Sequence, residues 1–236
     1  MEKLVECVPN FSEGRDQSKI DEIVDHMNTV SQVTVLDVDP GFDTNRTVVT
    51  LVGSTEAIAE AAFKGIKRAA EILDMSQHSG THPRLGATDV CPFIPVSGVS
   101  DDECIELSKQ VGKRVGDELD IPVYLYEKSA QSTERVKLPD IRKGEYEGLA
   151  EKLADPDWKP DFGPAELHVK GGATVMGCRD FLIAYNINLN TRDHRLATDI
   201  AFELREAGRS KRIPNPKSKN LLDGEIVRHK DGKPVK

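Results

Sequence analysis

Strand-like and helix-like segments alternate along the first half of the chain. Short β-branched and apolar runs are typical of strands, and apolar residues at helical spacing predict amphipathic helices. The order is β-α-β-β-α-β-α-β, and the segments are residues 4–11, 12–27, 33–39, 47–53, 55–73, 88–96, 100–119 and 121–127. This alternation predicts a sheet covered by helices. We expect an α/β or ferredoxin-like α+β fold, with β-α-β units and the helices on one face of the sheet.

Two of these helices carry signals at their N-termini. Thr55 precedes the clearest amphipathic segment, and we expect it to be the N-cap. Ser100 is followed by Asp101, Asp102 and Glu103. A hydroxyl cap followed by carboxylates suits the positive end of the helix dipole, so this segment predicts a helix that begins directly after Ser100.

The second half of the chain is less regular. Residues 138–164 predict a short helix that leaves the sheet and runs into a Pro/Gly-rich loop, and residues 161–177 predict a Gly-rich loop. Residues 181–190 predict another strand, and residues 191–208 predict a helix capped by Thr191. One strand and one helix cannot close a sheet, so we expect a second unit that is incomplete.

The distribution of charge limits the class of partner. The formal net charge is −8, but residues 209–236 hold nine Lys and Arg against three Asp and Glu, which makes this tail +6 and the remainder −14. An acidic body repels polyphosphates, so we expect no nucleic-acid partner. No apolar stretch is long enough for a signal peptide or a membrane span, so we expect no membrane partner and a cytoplasmic location. The four scattered cysteines predict reduced core residues.

The segment "HSGTHPRLG", residues 78–86, concentrates titratable groups on one loop. His78 and His82 have the i, i+4 spacing of a helical zinc pair. Gly80 lies between them, Pro83 follows, and no Glu stands beside His78 as zinc proteases require. We therefore expect no metal.

His82 leaves two interpretations open. It is either a polar loop residue bonded to the backbone or a functional group. Pro83 restricts His82 to an extended conformation, and Arg84 could hold an anion beside a proton-transfer group. Gly80 and Gly86 would let the backbone approach a ligand closely. These neighbours favour a role in proton transfer for His82 over one for His78.

Two further segments carry candidate residues. The segment "DVDPGFDTNR", residues 37–46, joins two predicted strands, and its residues fit both turn chemistry and a carboxylate pointed into a cleft. Asp39 is the candidate carboxylate. The segment "DFGPAELHVKGGATVMG", residues 161–177, lacks the Lys-Ser/Thr ending of a P-loop and the spacing of a dinucleotide fingerprint. Backbone hydrogen bonds to a flat heterocycle would suit this loop better than phosphate binding.

These segments together resemble one known family. The matching stretches are "VECVPNFSEGR", "VLDVDPGFDTNRTV", "DMSQHSGTHPRLGATDVCPFIPVSGVS", "PVYLYE", "DWKPDFGP", "FLIAYNINL" and "LREAGR". They occur in order over roughly residues 1–209, and the chain resembles the formiminotransferase family. The resemblance implies an N-terminal subdomain, residues 1–178, and the beginning of a C-terminal subdomain, residues 179–236, with a basic tail. Family members continue further, so we expect the second subdomain to be truncated.

The resemblance also implies an activity. Family enzymes transfer the formimino group of N-formimidoyl-L-glutamate to N5 of tetrahydrofolate, in histidine degradation and one-carbon metabolism. It implies tetrahydrofolate as co-substrate, no metal, two similar α/β halves with the ligand between them, and a homodimer at full length. Two other functions stay open: a folate-binding module with little turnover, and a transferase that uses formyl donors.

The resemblance assigns roles to single residues. His82 matches the catalytic histidine, and one imidazole that titrates near neutral pH can act first as base and then as acid. We expect Asp39 to orient His82 or to stabilise a cation, and Arg84 and Arg46 to bind carboxylates beside Asn45. The folate loop falls on Gly163, Pro164, Ala165, Glu166, Leu167, His168, Val169, Lys170, Gly171 and Gly172.

Overall fold

The computed structural model describes residues 3–183, 187, 189–204, 212–213, 216 and 225–226. The chain divides into two compact units, residues 1–182 and 183–236. The strands are β1 (Leu4–Cys7), β2 (Asn10–Phe11), β3 (Val33–Gly41), β4 (Arg46–Gly53), β5 (Thr88–Ser97), β6 (Val123–Leu125), β7 (Thr174–Cys178), β8 (Arg212–Ile213) and β9 (Glu225–Ile226). The helices are α1 (Gln17–Asn28), α2 (Thr55–Ile72), α3 (Asp101–Leu119), α4 (Leu138–Arg142), α5 (Leu149–Ala154) and α6 (His194–Leu204).

The first unit is built on one mixed sheet. β3 pairs with β4, and β4 pairs with both β1 and β2, which in turn pair with β5; all of these pairs are antiparallel. β7 lies parallel between β5 and β6. β1 and β2 act as one interrupted strand because Pro9 between them has no N–H to give to the ladder. The predicted order of elements over residues 4–127 and the α/β class are confirmed.

The three long helices cover one face of the sheet. Side chains that alternate along the strands, such as Cys7, Leu51 and Phe93, point to this face and pack with Ile66 of α2 and Val111 of α3. All five are less than 4% exposed. This face holds the larger of the two hydrophobic cores.

The two short helices pack on the opposite face. Tyr124 and Val175 alternate with the residues of the first core, and they contact Ile141 of α4 and Leu149 of α5. The long helices thus lie on one face, as predicted, and α4 and α5 add a smaller core on the other.

β7 corrects the prediction of a loop over residues 161–177. Residues 174–178 form a strand whose five residues are all buried. A short parallel strand covered on both faces has no polar alternation, and in this sequence it follows two glycines, so its pattern resembled that of the loop. The loop ends before Thr174, and β7 holds β6 against the rest of the sheet.

The helix caps agree in part with the sequence. Ser100 and Glu103 form a reciprocal capping box at α3, as predicted. The cap of α2 is Ser54, whose hydroxyl accepts the N–H of Ala57, so the prediction of Thr55 is wrong by one residue. All four cysteines are buried and free, which confirms that part of the prediction. None of the helices in the described residues is long and apolar enough to cross a membrane.

The second unit contains α6 and an antiparallel pair, β8 and β9. α6 begins at His194, where the carboxylate of Asp193 accepts the N–H of Arg195. The predicted cap, Thr191, accepts the N–H of Asp193 instead. Residues 181–183, 187 and 189–190 of the strand predicted over residues 181–190 are described, and none of them lies in a strand, so this prediction is wrong there. Residues 184–186 and 188, the end of the following helix and most of the basic tail lie outside the described residues.

Candidate active site

His82 lies on the loop that leads into β5, and its ring has a defined tautomer. Nδ1 lies 2.7 Å from the carbonyl oxygen of Pro83. Because a carbonyl oxygen can only accept, Nδ1 carries the proton and the neutral ring keeps its lone pair on Nε2. The imidazole is half-buried, and this burial lowers its pKa. Arg46 and Arg142 lower the pKa further, while the Pro83 carbonyl and Asp89 act in the opposite direction.

Two arginines near His82 share one buried carboxylate. Asp89, the second residue of β5, is fully buried and forms ion pairs with Arg46 of β4 and Arg142 of α4. Its Oδ1 also accepts the N–H of Leu85 at 2.9 Å. Burial alone would raise the pKa of Asp89, but the two guanidinium groups outweigh it and lower the pKa. Asp89 is therefore an anion that fixes both arginines in place.

A cavity of about 370 Å³ opens beside these arginines on the face of the sheet that carries α4. Its walls include Asn10, Arg46, Tyr126, Arg142 and Arg179. The face of the sheet beside the cavity continues across four strands. Strand pairing places four residues opposite one another on adjacent strands: Val90, Asn10, Val48 and Asp39. Residues paired in this way share one face, so Asp39 belongs to the same row as two residues of the cavity wall.

Asp39 is exposed on β3, where it is paired with Val48, and no hydrogen bond or ion pair joins its carboxylate to another described residue. The group that orients the His82 ring is the Pro83 carbonyl. No described contact therefore supports the predicted role of Asp39 in orienting His82. Its position in this row of paired residues is compatible with the other predicted role, which is to stabilise a cation.

Arg84 is not among the residues that line this cavity. Its side chain is 9% exposed, and all five N–H groups have protein acceptors. Nη1 and Nη2 bind Glu147 at 2.8 and 2.7 Å, Nη1 also binds Glu145, and Nε and Nη2 bind Nδ1 and the carbonyl oxygen of His78. The guanidinium has no free donor for a substrate carboxylate, so Arg84 ties the His82 loop to residues 145–147.

Asn45 and His78 complete this connection. Asn45 adopts a left-handed conformation with φ 50°, its Oδ1 accepts the N–H of Gly14, and its Nδ2 donates to the carbonyl oxygen of Ser79. Nε2 of His78 donates to the carbonyl oxygen of Asn45 because Nδ1 accepts from Arg84. Burial lowers the pKa of His78. Both residues hold the His82 loop against the loop that carries Asn45. Both polar atoms of the Asn45 side chain take part in hydrogen bonds in this structure.

The predicted folate loop reaches the His82 segment at its C-terminal end. The N–H of Ala87 donates to the carbonyl oxygen of Gly171, and the N–H of Ala173 donates to that of Leu85. Within the loop, the N–H of Gly171 donates to Nδ1 of His168. Ala165, Glu166, Val169 and Lys170 are exposed, while Gly171 and Gly172 are buried. The structure therefore places the loop beside the segment that carries His82.

Comparison with known proteins decides the family. Residues 4–179 match the family described as the formiminotransferase domain, N-terminal subdomain. The chain belongs to the formiminotransferase family.

Relatives in this family are similar over most of the chain. The formimidoyltransferase-cyclodeaminase of Dictyostelium discoideum is 52% identical over 215 residues, which cover 91% of this chain and 40% of that protein. The glutamate formimidoyltransferase of Streptococcus pyogenes serotype M1 is 48% identical over 208 residues, 88% of this chain and 70% of that protein. The enzyme of the same name from Thermoplasma acidophilum is 49% identical over 204 residues, 86% of this chain and 67% of its own length. The chain thus spans about 40% of the first relative and about two thirds of the others.

Sequence reasoning missed three residues of this candidate site. Asp89 stands inside an otherwise apolar strand, Arg142 lies within the predicted segment 138–164, and Arg179 stands between the Gly-rich loop and the strand predicted from residue 181. A carboxylate within a buried strand needs a cationic partner, so Asp89 itself was the sequence signal for a buried ion pair. The sequence did not show which arginine supplies it, because Asp89 and Arg142 are 53 residues apart.

Proposed function

We propose that this chain transfers the formimino group of N-formimidoyl-L-glutamate to N5 of tetrahydrofolate, giving 5-formimidoyltetrahydrofolate and L-glutamate. The observation that carries the proposal is the imidazole of His82, whose Nδ1–H is fixed on the Pro83 carbonyl and whose Nε2 is left as a base. Family membership and the names of the relatives from Streptococcus and Thermoplasma support the same reaction.

The chemistry needs one group that moves a proton between two nitrogens. N5 of the folate attacks the amidinium carbon, a C–N bond forms, and N5 passes its proton to Nε2 of His82. The imidazolium then gives this proton to the nitrogen of the glutamate, the C–N bond to glutamate breaks, and L-glutamate leaves. The proton balance closes without another acid or base. The lowered pKa of His82 suits the first step, since the ring must enter it neutral.

Two further groups belong to this proposal. The loop from Gly163 to Gly172 provides backbone groups beside the His82 segment, and we assign it to the pterin of the folate. Asp39 lies on the same sheet row as Asn10 and is assigned to the positive charge of the amidinium. Because the amidinium carries its charge into the reaction, a carboxylate near it lowers the cost of binding.

The proposal extends to the rest of the protein. We assign residues 179–236 to the beginning of the C-terminal subdomain, because the matches with relatives are longer than the N-terminal subdomain. The family resemblance also supports a homodimer at full length and a place in histidine breakdown, and we add a cytoplasmic location to the proposal.

Replacement of His82 by Gln tests the catalytic assignment. We expect kcat to fall about 100- to 10,000-fold, the usual range for loss of a general acid–base group, with folate affinity retained. The matched control is His26→Gln. His26 is exposed on α1, which packs on the face of the sheet opposite to the one that carries α4 and the cavity. The measurement is release of L-glutamate in steady-state assays.

Full turnover in the His82→Gln variant would reject the mechanism. Product analysis with formimino and formyl donors in parallel separates the two transferases. Tight folate binding without release of glutamate in the wild-type chain would instead favour a binding module.

A further inference from the structure

We propose that the cavity lined by Arg46, Arg142 and Arg179 on the face of the sheet that carries α4, here called the arginine cavity, binds the two carboxylates of a glutamyl group. Arg142 and Arg179 are the proposed ligands beside Arg46. This inference rests on the proposed function and specifies where the formimino donor binds. The chemistry recognised is a dicarboxylate, which could belong to the formimino donor or to the glutamate tail of folate.

The charge of the cavity matches such a ligand. Four cationic side chains line it, those of Arg46, Lys137, Arg142 and Arg179, and the acidic side chain among its walls is that of Glu127. Asp89 lies beneath two of the arginines and removes one more charge. The four positive and two negative charges leave a net charge of +2. A glutamyl dicarboxylate of charge −2 would neutralise it.

The free N–H groups of these arginines are placed to donate hydrogen bonds to a carboxylate. Arg142 uses Nε and Nη2 to bind Asp89, and its Nη1 donates to no other described residue. Arg46 binds Asn10 through Nε and Nη2 and Asp89 through Nη1, which leaves one N–H on each Nη atom. A carboxylate can therefore bind the outer edge of Arg142 while Asp89 holds the inner edge, and a fixed guanidinium loses little entropy on binding.

Arg179 is the third arginine of the cavity, and it forms no ion pair with Asp89. Its Nη1 donates to the backbone oxygen of Asp180, and its charge acts on the hydroxyl of Tyr126 and on the carboxylate of Glu6. Val90 and Leu138 supply apolar walls that suit the methylene groups of a glutamyl side chain.

The position of His82 favours the formimino donor as the source of the carboxylates. Arg46 and Arg142, which line the cavity, both lower the pKa of His82, so the cavity lies within electrostatic range of the imidazole. In formimidoyl-glutamate the α-carboxylate is attached to the carbon that bears the departing nitrogen. In tetrahydrofolate the carboxylates are separated from N5 by the whole aminobenzoyl group. A carboxylate site next to the group that protonates the leaving nitrogen thus fits the donor.

The first test measures binding of L-glutamate to the full chain by titration calorimetry. We expect Arg142→Gln and Arg179→Gln each to weaken binding about 10- to 100-fold, as for loss of hydrogen bonds between charged groups. The control is Lys113→Gln, because Lys113 is an exposed cation on α3, across the sheet from the cavity. Unchanged glutamate affinity in both arginine variants would overturn the proposal.

A fold control is needed because Arg142 contacts buried Asp89. Arg142→Lys keeps a positive charge for Asp89 but cannot form two parallel hydrogen bonds, and we expect it also to weaken glutamate binding. Arg179→Gln leaves the ion pairs of Asp89 intact, so it tests the cavity even if an Arg142 variant does not fold. Far-UV and near-UV circular dichroism establish the fold of each variant.

Steady-state kinetics then distinguish the two sources of carboxylate. We expect both Gln variants to raise KM for formimidoyl-glutamate about tenfold or more while KM for tetrahydrofolate stays within about twofold. A rise in KM for tetrahydrofolate that disappears with tetrahydropteroate, which has no glutamate, would assign the cavity to the folate tail and overturn the donor site. Glutamate binding that depends on Arg142 in a protein without transfer activity would support the site and reject the proposed function.

Discussion

The protonation of His82 depends on atoms from several segments of the chain. The carbonyl of Pro83 fixes the proton on Nδ1, and burial together with Arg46 and Arg142 disfavours a second proton on Nε2. These groups come from the loop itself, from β4 and from α4. The same two arginines line the cavity, so the charge that would hold a carboxylate also keeps the imidazole neutral.

This coupling predicts how the pH profile responds to a change in the cavity. For the wild-type protein, we expect kcat/KM to fall as pH drops through a pKa below the ordinary histidine value of about 6.5, since the base form is lost there. Arg142→Gln removes a positive charge, which makes protonation of His82 easier and raises its pKa. The acid limb of the profile should therefore move to higher pH.

The measurement is kcat/KM for the donor against pH at saturating tetrahydrofolate and constant ionic strength. Lys113→Gln serves as the control and should leave the acid limb in place. An acid limb that stays or moves to lower pH in Arg142→Gln would show that this guanidinium does not act on the base.

Single residues also show what sequence reasoning could identify. His82 was predicted as the proton-transfer group from its neighbours in the chain, and the tautomer found here fits that role. The same reasoning placed Arg84 with a substrate because it stands two positions later. Its partners are Glu145 and Glu147, more than 60 residues away, and no local pattern reveals such a distant ion pair.

Among the elements, the turn at Gly172 joins the predicted folate loop to the segment that carries His82. Gly172 has φ 64°, and a Cβ placed there would lie 2.1 Å from the carbonyl oxygen of Leu85. The N–H of Gly172 donates to His168, and the following residue, Ala173, donates to Leu85. A side chain at this position would force apart the backbone contact between the loop and the segment that carries His82.

Gly172→Ala is therefore expected to destabilise the protein by about 3 kcal/mol or more, as for strain at a special backbone position that must also move a neighbour. The matched control is Gly144→Ala. Gly144 also has a positive φ, 91°, but its Cβ would meet nothing closer than Gly148 at 3.6 Å, so we expect a loss of about 1 kcal/mol. The measurement is the free energy of unfolding in urea. Equal losses in the two variants would contradict a close contact at Gly172.

The elements also differ in how well the sequence predicted them. α3 was predictable because Ser100 and Glu103 mark its start and its apolar face is periodic. β7 was missed because its burial on both faces depends on helices and strands that are distant in sequence, and two glycines precede it. The cavity could not be predicted for a similar reason, since it needs β5 and α4 to come together around Asp89.

At the scale of the molecule, one sheet separates two hydrophobic cores. The larger core contains residues from Val5 to Cys178, and the smaller core contains residues from Leu85 to Val175. The residues of both cores therefore lie within the first unit, residues 1–182. A unit with its own cores on both faces of a complete sheet has the properties of an independently folding domain.

We therefore expect a fragment of residues 1–182 to unfold cooperatively and to bind L-glutamate with about the affinity of the full chain, because the fragment keeps every residue that lines the arginine cavity. The matched control is a fragment of residues 1–172, which lacks β7. Without β7, β6 loses its partner strand and both cores lose buried residues, so this shorter fragment should not fold. Urea unfolding followed by tryptophan fluorescence and circular dichroism measures both. A cooperative transition in the shorter fragment, or its absence in the longer one, would show that stability does not depend on the continuous sheet of the first unit.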